Sequence, residues 1–172
     1  LLFIGRLTLN KKLELLIDAI IELNKSKDFN LLIIGDGESR RNLEKKAKNL
    51  IQNGNCIFYG GAYDEQEISG LIFSSDLTVS PGNVGLTAIH SLSYGTPVCS
   101  HSNFKNQMPE VEAIIEGENG FLFEEDDLES LIHGINKWFS ENPNVDKKKI
   151  RRIVDQYYNP NFQYSIFQKI LK

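Results

Sequence analysis

Two cations stand close together in Gly5-Arg6-Leu7-Thr8-Leu9-Asn10-Lys11-Lys12, where an apolar run ends at a glycine and an amphipathic stretch begins. An Arg directly after a strand and a Lys near a helix start suit a phosphate or diphosphate, since fixed cations and helix-start amides both favour an anion. Two solvated loop cations would read the same way. A second segment is Ser80-Pro81-Gly82-Asn83-Val84-Gly85-Leu86-Thr87-Ala88-Ile89-His90. Here an apolar run enters a glycine-containing loop that opens a helix, so free amides can cradle a phosphate without a charged side chain. A plain tight turn has the same composition. His90 lies about one and a half turns into that helix, as a ligand contact or as an ordinary packed side chain.

Other chemistries find little support. Gly35-Asp36-Gly37-Glu38 resembles the start of a dinucleotide fingerprint, but its third glycine would fall on Arg40, and it follows the second apolar run rather than the first. The sequence shows no Ser-His-Asp order, no Cys-His pair with an orienting partner and no metal-ligand spacing. The acidic run 124–127 precedes a helical pattern, where capping and the helix dipole account for it.

The elements that must position these residues follow from periodicity. Apolar runs at 1–4, 31–34, 56–59, 77–79, 98–99 and 121–123 alternate with amphipathic stretches at 13–23, 40–52, 65–72, 85–94 and from 126 or 127 to about 139. Leu43, Ala47, Leu50 and Ile51 are expected on one helical face. Asp64 with Glu67 resembles a capping box. Strands apolar on both faces, each followed by a glycine turn and a helix, predict an α/β, doubly wound, Rossmann-like parallel sheet of about six strands. Such sheets bind ligands at the carboxyl ends of their strands, which gathers the loops at Gly5, Gly35, Gly60, Ser80 and Ser100 around one crevice. Residues 1–140 are expected as the binding domain and 141–172 as a helical tail outside the core.

Composition narrows the classes. The 172 residues are 41% hydrophobic and 24% charged, which excludes disordered and fibrous chains. A net charge of −4 argues against a general polyanion or nucleic-acid binder, so any anion site is local. No apolar run is long enough to span a bilayer. Cys56 and Cys99, each inside a strand-like run, read as small core residues in a reducing compartment. A chain opening Leu-Leu-Phe-Ile is expected to be part of a larger protein.

In order along the chain, Phe3-Ile4-Gly5-Arg6-Leu7 with Lys11, Leu32-Ile33-Ile34-Gly35-Asp36-Gly37-Glu38, Ile57-Phe58-Tyr59-Gly60, Asp76 to Pro81, Gly85-Leu86, Tyr94-Gly95-Thr96-Pro97-Val98, Pro109-Glu110-Val111 and Gly117-Glu118-Asn119-Gly120-Phe121 resemble the donor-binding half of the retaining GT-B glycosyltransferases, the group 1 family. The likeness runs through about residue 140. It implies the C-terminal half of a GT-B fold, a UDP- or GDP-sugar as donor, a glycan or lipid-linked acceptor, and no cofactor or obligatory metal. Arg6 and Lys11 become the catalytic cations on the donor diphosphate. Gly5, Gly35, Asn83, Val84, Gly85, Leu86 and Thr87 join the donor site, and Gly60, Gly61, Ala62 and Tyr63 hold the base. The sequence departs from the family where acidic residues are usual, with Gly82 near the sugar and His90 near the ribose. Asn106-Gln107-Met108 replaces the family's glycines. The resemblance further implies transfer by the full-length protein, with an acceptor domain outside this chain and an inactive isolated fragment. It also implies a cytoplasmic place at the inner membrane face within polysaccharide synthesis. A non-catalytic nucleotide-binding relative or scaffold is the alternative, and another doubly wound nucleotide or dinucleotide module is a third.

Overall fold

The computed structural model describes residues 1–171. The apolar runs form β1 (Leu2–Ile4), β2 (Leu31–Ile34), β3 (Cys56–Gly60), β4 (Thr78–Ser80), β5 (Val98–His101) and β6 (Gly120–Phe123). Between and after them lie α1 (Leu13–Leu23), α2 (Arg40–Lys46), α3 (Lys48–Gln52), α4 (Glu65–Phe73), α5 (Thr87–Ser93), α6 (Leu128–Glu141), α7 (Lys147–Tyr157) and α8 (Pro160–Ile170). Every strand pairing is parallel, in the order β3-β2-β1-β4-β5-β6. The chain winds from β1 outward to β3, then returns to the other side of β1 for β4. Leu2 therefore pairs with Leu32 on one side and Thr78 on the other. This reversal is the switch point of a doubly wound sheet, and it opens a crevice between the loops that leave β1 and β4.

Side-chain alternation sorts the core onto two faces. Phe3, Ile33, Val79, Cys99 and Phe121 pack with Leu16, Ile17 and Ile20 of α1 and with Leu131, Ile135 and Trp138 of α6. On the opposite face Leu2 and Ile34 meet Ile68 and Ile72 of α4, while Val98 clusters with Ala88 and Leu92 of α5. Covered on both sides, the inner strands have no solvent face, which is why they read as unbroken apolar runs, whereas the edge strand β3 leaves Ile57 and Tyr59 exposed. Cys56 and Cys99 are buried free thiols inside this core. Burial pushes the Cys56 thiol up to about 12 and raises that of Cys99 well above its ordinary value.

Three local expectations change. The stretch 40–52 is two helices rather than one, because the backbone leaves helical geometry at Ala47. The bend keeps Leu43, Ala47 and Leu50 buried and turns Ile51 out to solvent, 39% exposed. The helix expected from Gly85 begins at Thr87, with Leu86 already in right-handed helical geometry and the Gly85 carbonyl accepting the Ala88 N–H. The expected tail also divides. Ile150 and Val154 of α7 are buried against the α5 side of the sheet, where each large apolar side chain removed from water contributes about 1.5–3 kcal/mol. Only α8 carries no buried residue.

Candidate functional site

The loop that leaves β1 lies in a slot between its neighbours. A Cβ on Gly35 would sit 1.8 Å from the Gly5 carbonyl oxygen, and one on Gly82 would sit 2.0 Å from that of Asn10. Both obstacles are backbone, so the absence of a side chain at these two positions is what lets three loops converge at the switch point. The Gly82 N–H donates to the Lys11 carbonyl at 3.0 Å, tying the β1 and β4 loops together. Gly5 and Gly35, expected at the donor, are thus engaged in loop packing. The Gly5 N–H donates to Ile34 O and the Gly35 N–H to Gly60 O.

Within this frame Lys11 crosses to the β4 loop. Its Nζ donates to the carbonyl oxygen of Asn83 at 2.7 Å and to Asn83 Oδ1 at 2.8 Å. Those acceptors carry no net charge, so the ammonium stays un-neutralised. Burial, and then the nearby Arg6 guanidinium, hold its pKa below the ordinary lysine value. Arg6 is exposed and makes no ion pair among the described residues. Two cations are therefore held side by side without a counter-ion.

The entry to α5 supplies the complementary donors. The Val84 N–H is taken by Gln107 Oε1 at 2.8 Å. The amides of Gly85, Leu86 and Thr87 have no acceptor among the described residues, because α5 starts only at Thr87. Thr87 turns its hydroxyl to the Ile4 carbonyl at 3.3 Å, anchoring this entry to the end of β1. Gln107 also donates to Ser100 Oγ at 2.8 Å and to His101 O at 3.0 Å, bracing the loop against β5. Ser100 in turn donates to Ser80 O at 2.9 Å.

The segment 60–63 leads out of the edge strand β3. Gly61 is exposed, Tyr63 is 94% exposed with its ring over Gly61, and Ala62 packs toward the cluster of Leu2 and Ile34. His90 does not stand free in the crevice. Its Nε2 lies 2.9 Å from Glu65 Oε1, and the Tyr94 hydroxyl donates to the same oxygen at 2.6 Å. At Gly82, where the resemblance implies an acidic side chain, the Asn10 backbone occupies the space a Cβ would need.

A second polar hub lies beside the crevice, where β5 and β6 end. Glu125 takes Lys12 Nζ at 2.7 Å, Asn103 Nδ2 at 2.5 Å and Asn106 Nδ2 at 2.9 Å. Lys12, in the left-handed region at φ 52°, also reaches Asp126. The helix cap itself is Asp127, which accepts the Ser130 N–H at 2.9 Å. Arg6, Lys11 and residues 82–87 thus gather at the switch point, and 60–63 lies on the flank of α4. Glu65 escaped the sequence reading, while Gln107 entered it only as a departure from the family and Glu125 only within a capping run. The only local signal was the four-residue spacing of His90 and Tyr94, which places them on one helical face.

Relatives share this framework. Residues 1–156 match the family described as Glycosyl transferases group 1. The GDP-mannose-dependent alpha-(1-6)-phosphatidylinositol dimannoside mannosyltransferase of Mycobacterium tuberculosis is 37% identical over 97 residues, 54% of this chain and 24% of that protein. Anabaena HepE, solved in complex with UDP, superposes with a TM-score of 0.77 at 20% identity, covering 98% of this chain and 47% of HepE. The C-terminal domain of a group 1 glycosyl transferase from Francisella tularensis gives 0.75 at 23% identity, covering 92% of this chain and 86% of that one. The chain spans less than half the length of the curated relatives it matches. With the strand order, the switch-point loops and a family match through α7 in agreement, the chain belongs to the glycosyl transferases group 1 family and forms a Rossmann-like half of a GT-B fold.

Proposed function

We propose that this chain binds the nucleoside diphosphate of a UDP- or GDP-sugar and that the whole protein transfers the sugar, with retention, to a glycan or lipid-linked acceptor. The observation that carries the reading is the un-neutralised pair Arg6 and Lys11 beside the unpaired amides of residues 85–87. In a chain of net charge −4, such a concentration of donors suits a dianion. During transfer the diphosphate gains charge as it leaves, and fixed cations with preoriented amides stabilise that charge without reorganising. The same groups supply the electrostatic role without an added metal or cofactor. The backbone of residues 60–63 is suited to the base. HepE was solved with UDP and the mycobacterial relative is GDP-mannose-dependent, and titration with both diphosphates assigns the base.

The acceptor is assigned to the part of the relatives' length that this chain does not span. No helix among the described residues is long and apolar enough to cross a membrane. Position 82 favours a second reading, in which the protein binds a nucleotide without transferring, because the Asn10 backbone excludes a side chain there. Sugar transfer or hydrolysis by the whole protein separates the two.

The test of the binding reading is calorimetric titration of the whole protein with UDP, GDP, their sugars and the parent nucleosides. Arg6→Ala is expected to weaken diphosphate binding about 10- to 100-fold, the loss of one charge-assisted hydrogen bond of about 1.5–3 kcal/mol, and to leave nucleoside binding unchanged. Equal losses for nucleoside and diphosphate would remove Arg6 from the phosphates.

A further inference from the structure

We propose that Lys12 is the positioning residue for Lys11: its ion pairs with Glu125 and Asp126 hold a left-handed backbone at position 12, and that backbone aims Lys11 into the crevice. The assignment rests on the nucleotide reading above and names what keeps one of its two cations in place.

Among the described residues the left-handed region holds two residues other than glycine, Lys12 at φ 52° and Asp126 at φ 61°. They are joined to each other. Lys12 Nζ lies 2.7 Å from Asp126 Oδ1 and 2.7 Å from Glu125 Oε1. Lysine is a poor local choice for this conformation, because its Cβ crowds the following carbonyl oxygen. It also suits its place badly. Lys12 is the N-cap of α1 and makes no side-chain hydrogen bond to that helix, where Ser, Thr, Asp or Asn would accept one from the backbone. Neither propensity nor capping accounts for the residue, so what holds it is tertiary: two carboxylates delivered by the loop between β6 and α6. Backbone strain of this kind persists only where the surroundings over-determine it, and it gathers at functional sites.

The conformation has a definite consequence for the neighbouring residue. A short 3₁₀ turn, Leu9–Lys11, ends and α1 begins at the single residue Lys12. Its N–H donates to Leu9 O at 3.0 Å, and its carbonyl accepts the Leu15 N–H at 3.0 Å. The peptide between Lys11 and Lys12 is pinned from the crevice side, where the Lys11 carbonyl accepts the Gly82 N–H at 3.0 Å. Consecutive lysines therefore leave the chain for different partners, Lys11 for Asn83 and Lys12 for Glu125 and Asp126. Without the two carboxylates, position 12 relaxes to a right-handed or extended backbone. That rotation turns the 11–12 peptide away from Gly82 and withdraws the Lys11 ammonium from Asn83. Two carboxylates leave Lys12 no charge to spare, so it acts on the crevice through its backbone.

A backbone origin can be tested directly, because glycine adopts the left-handed region without help. The experiment is calorimetric titration of the whole protein with UDP, GDP and the parent nucleosides, with the melting temperature of each variant recorded. Lys12→Ala and Lys12→Met keep the Cβ and lose the tie. Each is expected to lose about 10-fold in affinity for the preferred diphosphate and nothing for its nucleoside. Lys12→Gly loses the same tie but needs none, and should bind within about twofold of wild type. Glu125→Ala should weaken diphosphate binding in the natural background and have no further effect on binding in Lys12→Gly. A purely structural tie would lower the melting temperature of these variants and leave every affinity unchanged. A direct effect of the Lys12 charge would weaken the Ala, Met and Gly variants alike. Either result overturns the assignment and leaves the nucleotide reading standing. If the wild-type protein binds neither UDP nor GDP, the nucleotide reading falls and takes this assignment with it.

Discussion

Two carboxylates mark the two sides of the crevice, and their surroundings differ in kind. Glu125, where β5 and β6 end, is 16% exposed and takes Lys12, Asn103 and Asn106 on its two oxygens. The Lys12 ammonium, and then the two Asn amides, hold it down to about 2. Glu65, at the start of α4, is 63% exposed and is gripped through one oxygen alone. A saturated carboxylate among loops that it joins is a fastening. A carboxylate gripped through one oxygen and otherwise open to water is a looser tie. Adjacent residues of one loop serve the two sides, since Lys11 turns to Asn83 in the crevice and Lys12 to Glu125.

The largest expected effect comes from breaking that shared loop. Gly82→Ala places a Cβ against the Asn10 carbonyl, so the β1 and β4 loops must part. We expect a loss of about 1–3 kcal/mol in stability, as for other overpacked sites, together with the loss of measurable UDP or GDP binding. Denaturant unfolding and titration of the same sample check both. Unchanged binding would mean that the two loops need not touch to form the site.

Next in size is Glu125→Ala, which leaves two Asn amides without their acceptor and Lys12 with Asp126 alone. The melting temperature should fall by on the order of 5 °C. Acid sharpens the point. The folded value of Glu125 lies below its ordinary 4.5, so its contribution is present above about 4.5 and lost as pH falls toward 2. The gap in melting temperature between wild type and Glu125→Gln should therefore close across that window, and a gap independent of pH would refute the account. The smallest effect belongs to Glu65→Ala, which should move the melting temperature by no more than about 1–2 °C, as befits an exposed pair. A drop equal to that of Glu125→Ala would erase the contrast between the two carboxylates.

Much of the architecture was legible because its signals are local. A four-residue run such as Leu31-Leu32-Ile33-Ile34, closed by Gly35, reads as a buried parallel strand whatever surrounds it. Arg6 and Lys11 were legible for the same reason, lying within six positions of each other on a loop that follows such a run. The start of α5 was read at Gly85 rather than Thr87, two residues early on a stretch where Leu86 already holds helical geometry. The burial of α7 was missed because Lys147-Lys148-Lys149-Ile150-Arg151-Arg152-Ile153-Val154 reads as polar by composition. Its apolar stripe finds a partner only once α5 is in place.

By itself the sequence determined the alternation of strands and helices, the parallel sheet and the cationic loop, since each follows from periodicity and turn chemistry within a few residues. Only the tertiary structure decided which polar groups meet. His90 and Glu65 are 25 positions apart, and Lys12 and Glu125 are 113 apart. No spacing rule reaches across such intervals, because the partner of a long charged side chain depends on where the sheet delivers the loop opposite. Gly35 and Gly82 show the same division: the chain records two glycines, and the packed loops explain why no side chain fits at either.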